Sequence, residues 1–229
     1  GARVIKHGNR SASSKSGSAD VLEALGININ LKAEGVGECV RKIGIGFAFA
    51  PNFHPAMRFA APARKALGQP TIFNILGPLA NPARPKAVAI GVARNEFLPI
   101  VAGVLARRNC EGFVFRGAEG LDEISIFSKT KVYELNNGKI KNFIINPKNF
   151  IKKKYKFKSI IGKDSLYNSR KIIEIFSGKH NSFLEIVALN AAAGLIVSNK
   201  EKNLREAYYK VKNHMLSGKT INKIKALAK

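Results

Sequence analysis

A chain of 229 residues, 45% of them hydrophobic, is long enough to bury the core of one large domain, alone or with a small satellite. Its apolar runs stay short of the about 18 residues a membrane-spanning helix needs, which argues against a membrane partner. The formal charge of +24 raises nucleic-acid binding, yet no helix-turn-helix, zinc or aromatic RNA-binding pattern accompanies it, so no specific nucleic-acid partner is expected. In chain order, residues 1–5 read as a strand and residues 19–25 as a helix, with Ser18 as N-cap and Asp20 in the first turn. A helix follows at 33–43 and a short apolar strand at 45–50. Residues 54–67 read as a helix interrupted at Pro62 and ended by Gly68, with another helical stretch at 71–79. Residues 87–92 are rich in strand formers, 96–107 carry apolar residues on a helical period, and 112–116 form another strand. The alternation predicts an α/β fold, a mostly parallel sheet flanked by helices. From 123 to 145 the pattern becomes a two-residue alternation around Asn136-Asn137-Gly138, a hairpin signal, and helices return at 165–176, 182–197, 204–216 and over the last ten residues.

The charge is unevenly placed: a net +9 over residues 1–120 and +15 over residues 121–229, where Lys, Asn and Ile rise together on what read as solvated faces. Such a field suits anionic small substrates. Cys39 and Cys110 lie 71 positions apart and outside any metal-ligand spacing, so they read as buried free thiols in a reducing cytoplasm.

The stretch from Lys6 to Gly26 carries the most chemistry. Lys6 and Arg10 offer cationic donors, Ser13, Ser14, Ser16 and Ser18 offer hydroxyls, and Gly8 and Gly17 allow close backbone approach. The helix that follows is expected to turn its unpaired N–H groups and positive end back into this loop, as a phosphate seat requires. The same composition also describes a surface linker, and residue types alone leave both readings open.

Lys6-His-Gly-Asn-Arg10, then Ser13-Ser14, then Gly17-Ser-Ala-Asp20 and Leu22-Glu-Ala-Leu-Gly26 together resemble the anthranilate phosphoribosyltransferases. A second block runs from Phe47-Ala-Phe-Ala-Pro51 and His54-Pro-Ala-Met57 through Arg64 to the stretch 73–82. A third is Gly120-Leu-Asp-Glu123 with Ser125. The resemblance implies transfer of the phosphoribosyl group of 5-phosphoribosyl 1-pyrophosphate to anthranilate, giving N-(5-phosphoribosyl)anthranilate and pyrophosphate in tryptophan biosynthesis, with Mg²⁺ as cofactor. It assigns Lys6, His7, Gly8, Asn9, Arg10, Ser11, Ala12, Ser13, Ser14 and Ser18 to phosphoribosyl pyrophosphate. Asn9, Arg64 and His54 go to anthranilate, and Asp122 and Glu123 to the metal. No side chain is required as a nucleophile, because displacement at an anomeric carbon through an oxocarbenium-like state calls for positioning and charge stabilisation.

Read without the resemblance, Arg64 beside Lys65 is a solvated helix arginine, Asp122-Glu123 an acidic turn, and His54 before Pro55 a capping residue. Two positions depart from the family: Pro70 stands where a basic residue is usual, and Arg116 where His is frequent. The family fold pairs a small helical domain with a large α/β domain and dimerises through the former. Residues 1–53 and 84–229 are therefore expected in the α/β domain, and 54–83 as a remnant of the helical one. In the family, helices and a Gly-Thr-Gly-Gly-Asp loop precede the Lys6 block. Their absence here predicts a C-terminal fragment, inactive alone and homodimeric only as the full-length enzyme. Two rival readings are a pyrimidine nucleoside phosphorylase-like enzyme, which shares the fold and a lysine-led loop, and a non-catalytic polyanion- or nucleic-acid-binding module. Asn9 and the block 54–57 favour anthranilate over the first.

Overall fold

The computed structural model describes residues 1–11, 15–67 and 71–228. The chain opens with strand β1 (Val4–Gly8), helices α1 (Ser18–Ala24) and α2 (Ala33–Lys42), and strand β2 (Ile45–Phe49). β1 and β2 pair in parallel, from Val4 opposite Ile45 to Gly8 opposite Phe49. Three helical pieces follow: α3 (Ala50–Phe53), α4 (Met57–Leu67) and α5 (Phe73–Leu79). The expected helix over 54–67 thus starts three residues late, since Pro55 and Ala56 form a turn, and Pro62 sits inside α4 without ending it.

A second sheet comprises β3 (Ala87–Gly91), β4 (Glu111–Gly117), β5 (Thr130–Asn136) and β6 (Lys139–Ile145), in that spatial order, with α6 (Phe97–Arg107) crossing from β3 to β4. β3 and β4 are parallel, whereas β4–β5 and β5–β6 are antiparallel. The α/β class stands, but the sheet is mixed and not mostly parallel, because the chain returns through hairpins after β4. Asn137 and Gly138 both take positive φ, 49° and 72°, the two-residue turn that matches strand twist and the one the Asn-Asn-Gly signal predicts. The expected alternation over 123–145 holds only from Thr130; residues 118–129 form an irregular loop.

The four-stranded sheet is covered on both faces. Along β4, Phe113 and Phe115 point into one core with Val132, Leu189, Ala192, Ala193 and Tyr208, while Val114 points into another with Leu98, Val101, Leu105 and Leu135. This two-residue alternation is that of a strand buried on both sides. α6 covers the second face. The first is covered by α8 (Ser182–Val197) and α9 (Leu204–Leu216), which follow α7 (Ser165–Phe176) and precede α10 (Ile221–Leu227). α8 is apolar nearly all round and carries Leu184, Ile186, Ala188, Leu189, Ala192 and Ala193 buried, as a core helix requires. Asp164, Asn181 and Asn203 each cap a helix, accepting backbone N–H groups of α7, α8 and α9 respectively.

Candidate functional site

The loop that leaves β1 is organised by one carboxylate. Asp20, in the first turn of α1, accepts the Gly17 N–H at 2.8 Å and the Ser11 N–H at 3.1 Å, and takes Arg10 Nη1 at 3.1 Å. Glu23 accepts Arg10 Nη2 at 2.8 Å and also pairs with Nη1, while the guanidinium lies 5.6 Å from the centre of the Phe49 ring. The backbone bonds from Gly17 and Ser11, and then Arg10, hold the Asp20 carboxyl below the usual range. Arg10 does the same to Glu23, and both acids push the guanidinium pKa further up.

Three expectations change as a result. Gly17, not Ser18, is the N-cap of α1, and Ser18 is its first residue, with its Oγ 3.5 Å from Asn9 O. Arg10, expected as a phosphate donor, is engaged with Asp20 and Glu23 because two acids fall one turn apart on the helix facing it. The donors around the helix start are also used inside the protein: Gly17 N–H goes to Asp20, Ala19 N–H to Asn9 O at 3.3 Å, and Arg10 N–H to Asn9 Oδ1 at 2.7 Å. Glycine at 17 is needed because a Cβ there would lie 2.3 Å from Ser11 N, so the loop's tight return, more than ligand approach, requires it. Ala12, Ser13 and Ser14, assigned to phosphoribosyl pyrophosphate, lie outside the described residues.

Two histidines fasten α5 to β1. His7 Nδ1 lies 3.3 Å from Gly77 O, His54 Nε2 lies 2.8 Å from Ala80 O, and the rings meet edge-on with centroids 5.1 Å apart. A carbonyl can only accept, so each of these nitrogens carries the proton. Burial, with the nearby His54 and Lys6 charges, pulls the His7 pKa down and favours the neutral ring. Its Nε2 is then an acceptor, buried and without a hydrogen-bond partner among the described residues. Asn81 adds a bond from Nδ2 to Ile5 O at 3.3 Å. Arg64 belongs to α4, and its side chain lies outside what the structure describes.

The acidic pair sits in the loop between β4 and β5. That loop is closed by bonds from Gly117 N to Leu121 O at 2.8 Å and from Ala118 N to Lys129 O at 2.9 Å. Inside it the buried Ser125 accepts the N–H groups of Phe127 and Ser128 on its Oγ, and donates to Glu119, which also takes the Ser128 hydroxyl. Ser125 N–H goes to Thr130 Oγ1 at 2.9 Å. The Asp122 carbonyl rests against Gly91 at the end of β3, where a Cβ would fall 1.4 Å from that oxygen. Beside it, Ile75, Pro78, Val92, Phe97 and Val101 line a cavity of about 120 Å³ between α5 and the sheet.

Burial, then the Asp122 charge beside it, pushes the Glu123 pKa up to about 7, while Lys6 on β1 favours its ionised form. The Lys6 charge thus reaches Glu123, although the two residues lie 117 positions apart in the chain. Two adjacent carboxyl groups form an oxygen donor set short of positive charge, which suits a hard cation. Among the described residues no cluster of three or more His, Cys, Asp or Glu could hold a metal, so such an ion would complete its shell with water or substrate oxygens.

The sequence reading missed the bracing role of Asp20 and Glu23, the seat at Gly91, and Asn190. The last had a signal: it is the one polar side chain between Glu185 and Ser198 of an otherwise apolar helix, and a buried amide needs partners. Cys110 is buried as expected, whereas Cys39, on α2, is half-buried, and both are free. No helix among the described residues is long and apolar enough to cross a membrane.

Residues 1–221 match the family described as "Glycosyl transferase family, a/b domain". The chain is 45% identical over 228 residues to the anthranilate phosphoribosyltransferase of Pelagibacter ubique (strain HTCC1062), covering 99% of this chain and 69% of that protein. It is 43% identical to the enzyme of the same name from Nocardia farcinica (strain IFM 10152), covering 95% and 63%. Among solved structures, the anthranilate phosphoribosyltransferase of Thermus thermophilus superposes with a TM-score of 0.92 at 36% identity, over all of this chain and 68% of that one. The enzyme from Saccharomyces cerevisiae in complex with PRPP and Mg gives 0.88 at 27% identity, over 98% and 64%. The chain spans about two thirds of the length of these relatives. With three ordered sequence blocks, a family match over residues 1–221 and an α/β fold that superposes throughout, the chain belongs to the anthranilate phosphoribosyltransferase family.

Proposed function

We propose that a protein carrying this chain transfers the phosphoribosyl group of 5-phosphoribosyl 1-pyrophosphate to the amine of anthranilate, with Mg²⁺ at Asp122 and Glu123. One observation carries the reading: the charge of Lys6, at the root of the serine-rich loop, acts on Glu123 and favours its ionised form, which supports a shared site for phosphate and cation. The amine nitrogen gives its electron pair to C1, the C1–O bond breaks toward pyrophosphate, and the amine proton leaves to solvent. No step needs a side-chain nucleophile.

Lys6, Ser11 and Ser18 take the departing polyanion, with Ser13 and Ser14 assigned to it by the family motif, and Asp20, Glu23 and Arg10 brace the described residues 9–11 and 17. Mg²⁺, when bound, neutralises charge that builds up on the leaving pyrophosphate. Asn9 and Arg64 hold anthranilate; a guanidinium suits a carboxylate bidentately. His7 and His54 shape the amine side, and the bare Nε2 of His7 is an acceptor available to a substrate N–H. Saccharomyces cerevisiae relatives in complex with PRPP and Mg, and with 4-fluoroanthranilate, support this choice of ligands, and no relative above favours a phosphorylase.

Residues 54–83 belong to a small helical domain, and the rest to the α/β domain. The exposed Met57, Phe59, Leu67, Ile72 and Leu76 of this helical stretch give an apolar face suited to association, in keeping with a homodimer. Two free thiols suit the cytoplasm. The test, made on a protein carrying this chain at the full length of its relatives, is anthranilate fluorescence followed with saturating phosphoribosyl pyrophosphate and Mg²⁺. Loss of signal that depends on both is expected; no loss would sink the reading.

A further inference from the structure

The acidic pair is aimed by an amide that belongs to neither its loop nor its sheet. Ile124, which follows Glu123, is fully buried and outside any strand, so its N–H and C=O have no ladder to join. Asn190 on α8 takes both. Its Oδ1 accepts the Ile124 N–H at 2.8 Å and its Nδ2 donates to Ile124 O at 2.9 Å. The amide stands in for a neighbouring strand at one residue. Its second Nδ2 proton goes to Ile186 O, 2.9 Å away and one turn back on the same helix, so all three bonds are lost together if the side chain turns.

The helix beneath is a fixed base. Glu185, itself 2% exposed, accepts His180 Nε2 and Lys212 Nζ, each at 2.7 Å, and the Tyr208 hydroxyl, tying α8 to α9 and to the α7–α8 connection. Glu119, Ser125 and Thr130 close the acidic loop upon itself; Asn190 ties it to the core.

Resting on the reading of Asp122 and Glu123 as carboxylates for a divalent cation, the geometry assigns Asn190 as a positioning residue for that cation. It fixes the backbone immediately after the pair, and with it the direction of both carboxylates, while touching neither substrate nor metal. An amide that only stabilised the fold would change the melting temperature and leave the metal affinity of the folded protein alone.

The test is a titration of Mn²⁺, read by electron paramagnetic resonance, into the wild-type chain and three variants, with circular dichroism and melting recorded for each. Glu123→Gln must abolish the site; if it binds Mn²⁺ as the wild type does, the carboxylate reading falls and this inference with it. Asn190→Ala should stay folded at the titration temperature and bind Mn²⁺ about tenfold or more weakly, the loss usual when a group that orients metal ligands is removed. Affinity within about twofold of wild type, beside a dead Glu123→Gln, would overturn the role of Asn190 and leave the metal site standing. Asn190→Asp decides the matter should the alanine variant not fold. It keeps the volume and the acceptor but loses the Nδ2 donor, and its added negative charge alone would tighten Mn²⁺. Weaker binding therefore supports the assignment, and equal or tighter binding refutes it.

Discussion

Residues 9–11 and 17 are held largely by charges at the surface, whereas residues 118–129 close on Glu119 and are tied to the core by backbone and amide groups. Arg10, Asp20 and Glu23, with side chains 46%, 24% and 38% exposed, lie within fourteen positions of one another. The acidic loop draws instead on Gly91, thirty-one positions before Asp122, and on Asn190, sixty-six after Ile124. The difference matches what the proposed function asks of each loop. Exposed ion pairs are weak and screened by salt, so a loop braced by them can adapt as it wraps a polyphosphate. Buried neutral hydrogen bonds are not screened, and they suit a pair of carboxylates that must present oxygens in one fixed direction.

The comparison is broken most severely at Gly91. An added Cβ would meet the Asp122 carbonyl oxygen at 1.4 Å, and backbone on both sides leaves no flexible group to move aside. Gly91→Ala should cost about 3 kcal/mol, the upper end of the overpacking range, and lower the melting temperature by roughly 6–12 °C. Calorimetry checks this, and Mn²⁺ affinity should fall with it. An unchanged melting temperature would mean that the acidic loop is not seated on β3.

Lys6 and Arg10 give the next contrast. Lys6→Ala removes the cation proposed to hold the phosphates, a loss of about 1.5–3 kcal/mol, or roughly 10- to 150-fold in kcat/KM for phosphoribosyl pyrophosphate. Arg10→Ala should change that constant far less, because Asp20 and Glu23 already neutralise the guanidinium. Arg64→Ala should act on the other substrate, raising the anthranilate KM by one to two orders of magnitude, for the same loss of a charge-assisted contact. Steady-state kinetics with each substrate varied separates the three. Equal losses at Lys6 and Arg10 would mean that Arg10 leaves its acids for the phosphate.

Local features of this fold were legible in the sequence, and features made by distant contacts were not. The strands, the helix periods and the Asn137-Gly138 turn follow from residue spacing within a few positions, and the structure has them. Pro55 and Ala56 moved the start of a helix because a turn competes with the helical period there. The acidic pair was legible as a motif, but its Gly91 seat and its Asn190 tie arise from sheet and helix packing that no local pattern encodes. The ion pairs of Arg10 were not legible, because a cation in a serine-rich loop looks like a free phosphate donor until the helix brings Asp20 and Glu23 to face it. Their spacing, one turn apart on α1, was the available sign.

The smallest expected effect is also the one that separates the two kinds of bracing. Asp20 and Glu23 have carboxyl pKa values below the ordinary range of about 4, so their contribution is fully present above that value. It is lost as pH falls through the lowered folded-state values, because the unfolded chain then binds protons more readily than the folded one. The Gly17 N–H rests on Asp20, whereas the Ile124 N–H rests on the neutral amide of Asn190. Amide exchange measured from pH 7 down to about 3, corrected for intrinsic rates, should therefore show protection at Gly17 fading first and protection at Ile124 persisting until the whole fold gives way. Raising salt at neutral pH should loosen the Arg10 brace in the same direction and leave Ile124 untouched. Parallel loss at both amides would mean that the two loops open as one unit, and that the contrast between a surface brace and a core brace does not govern how the site moves.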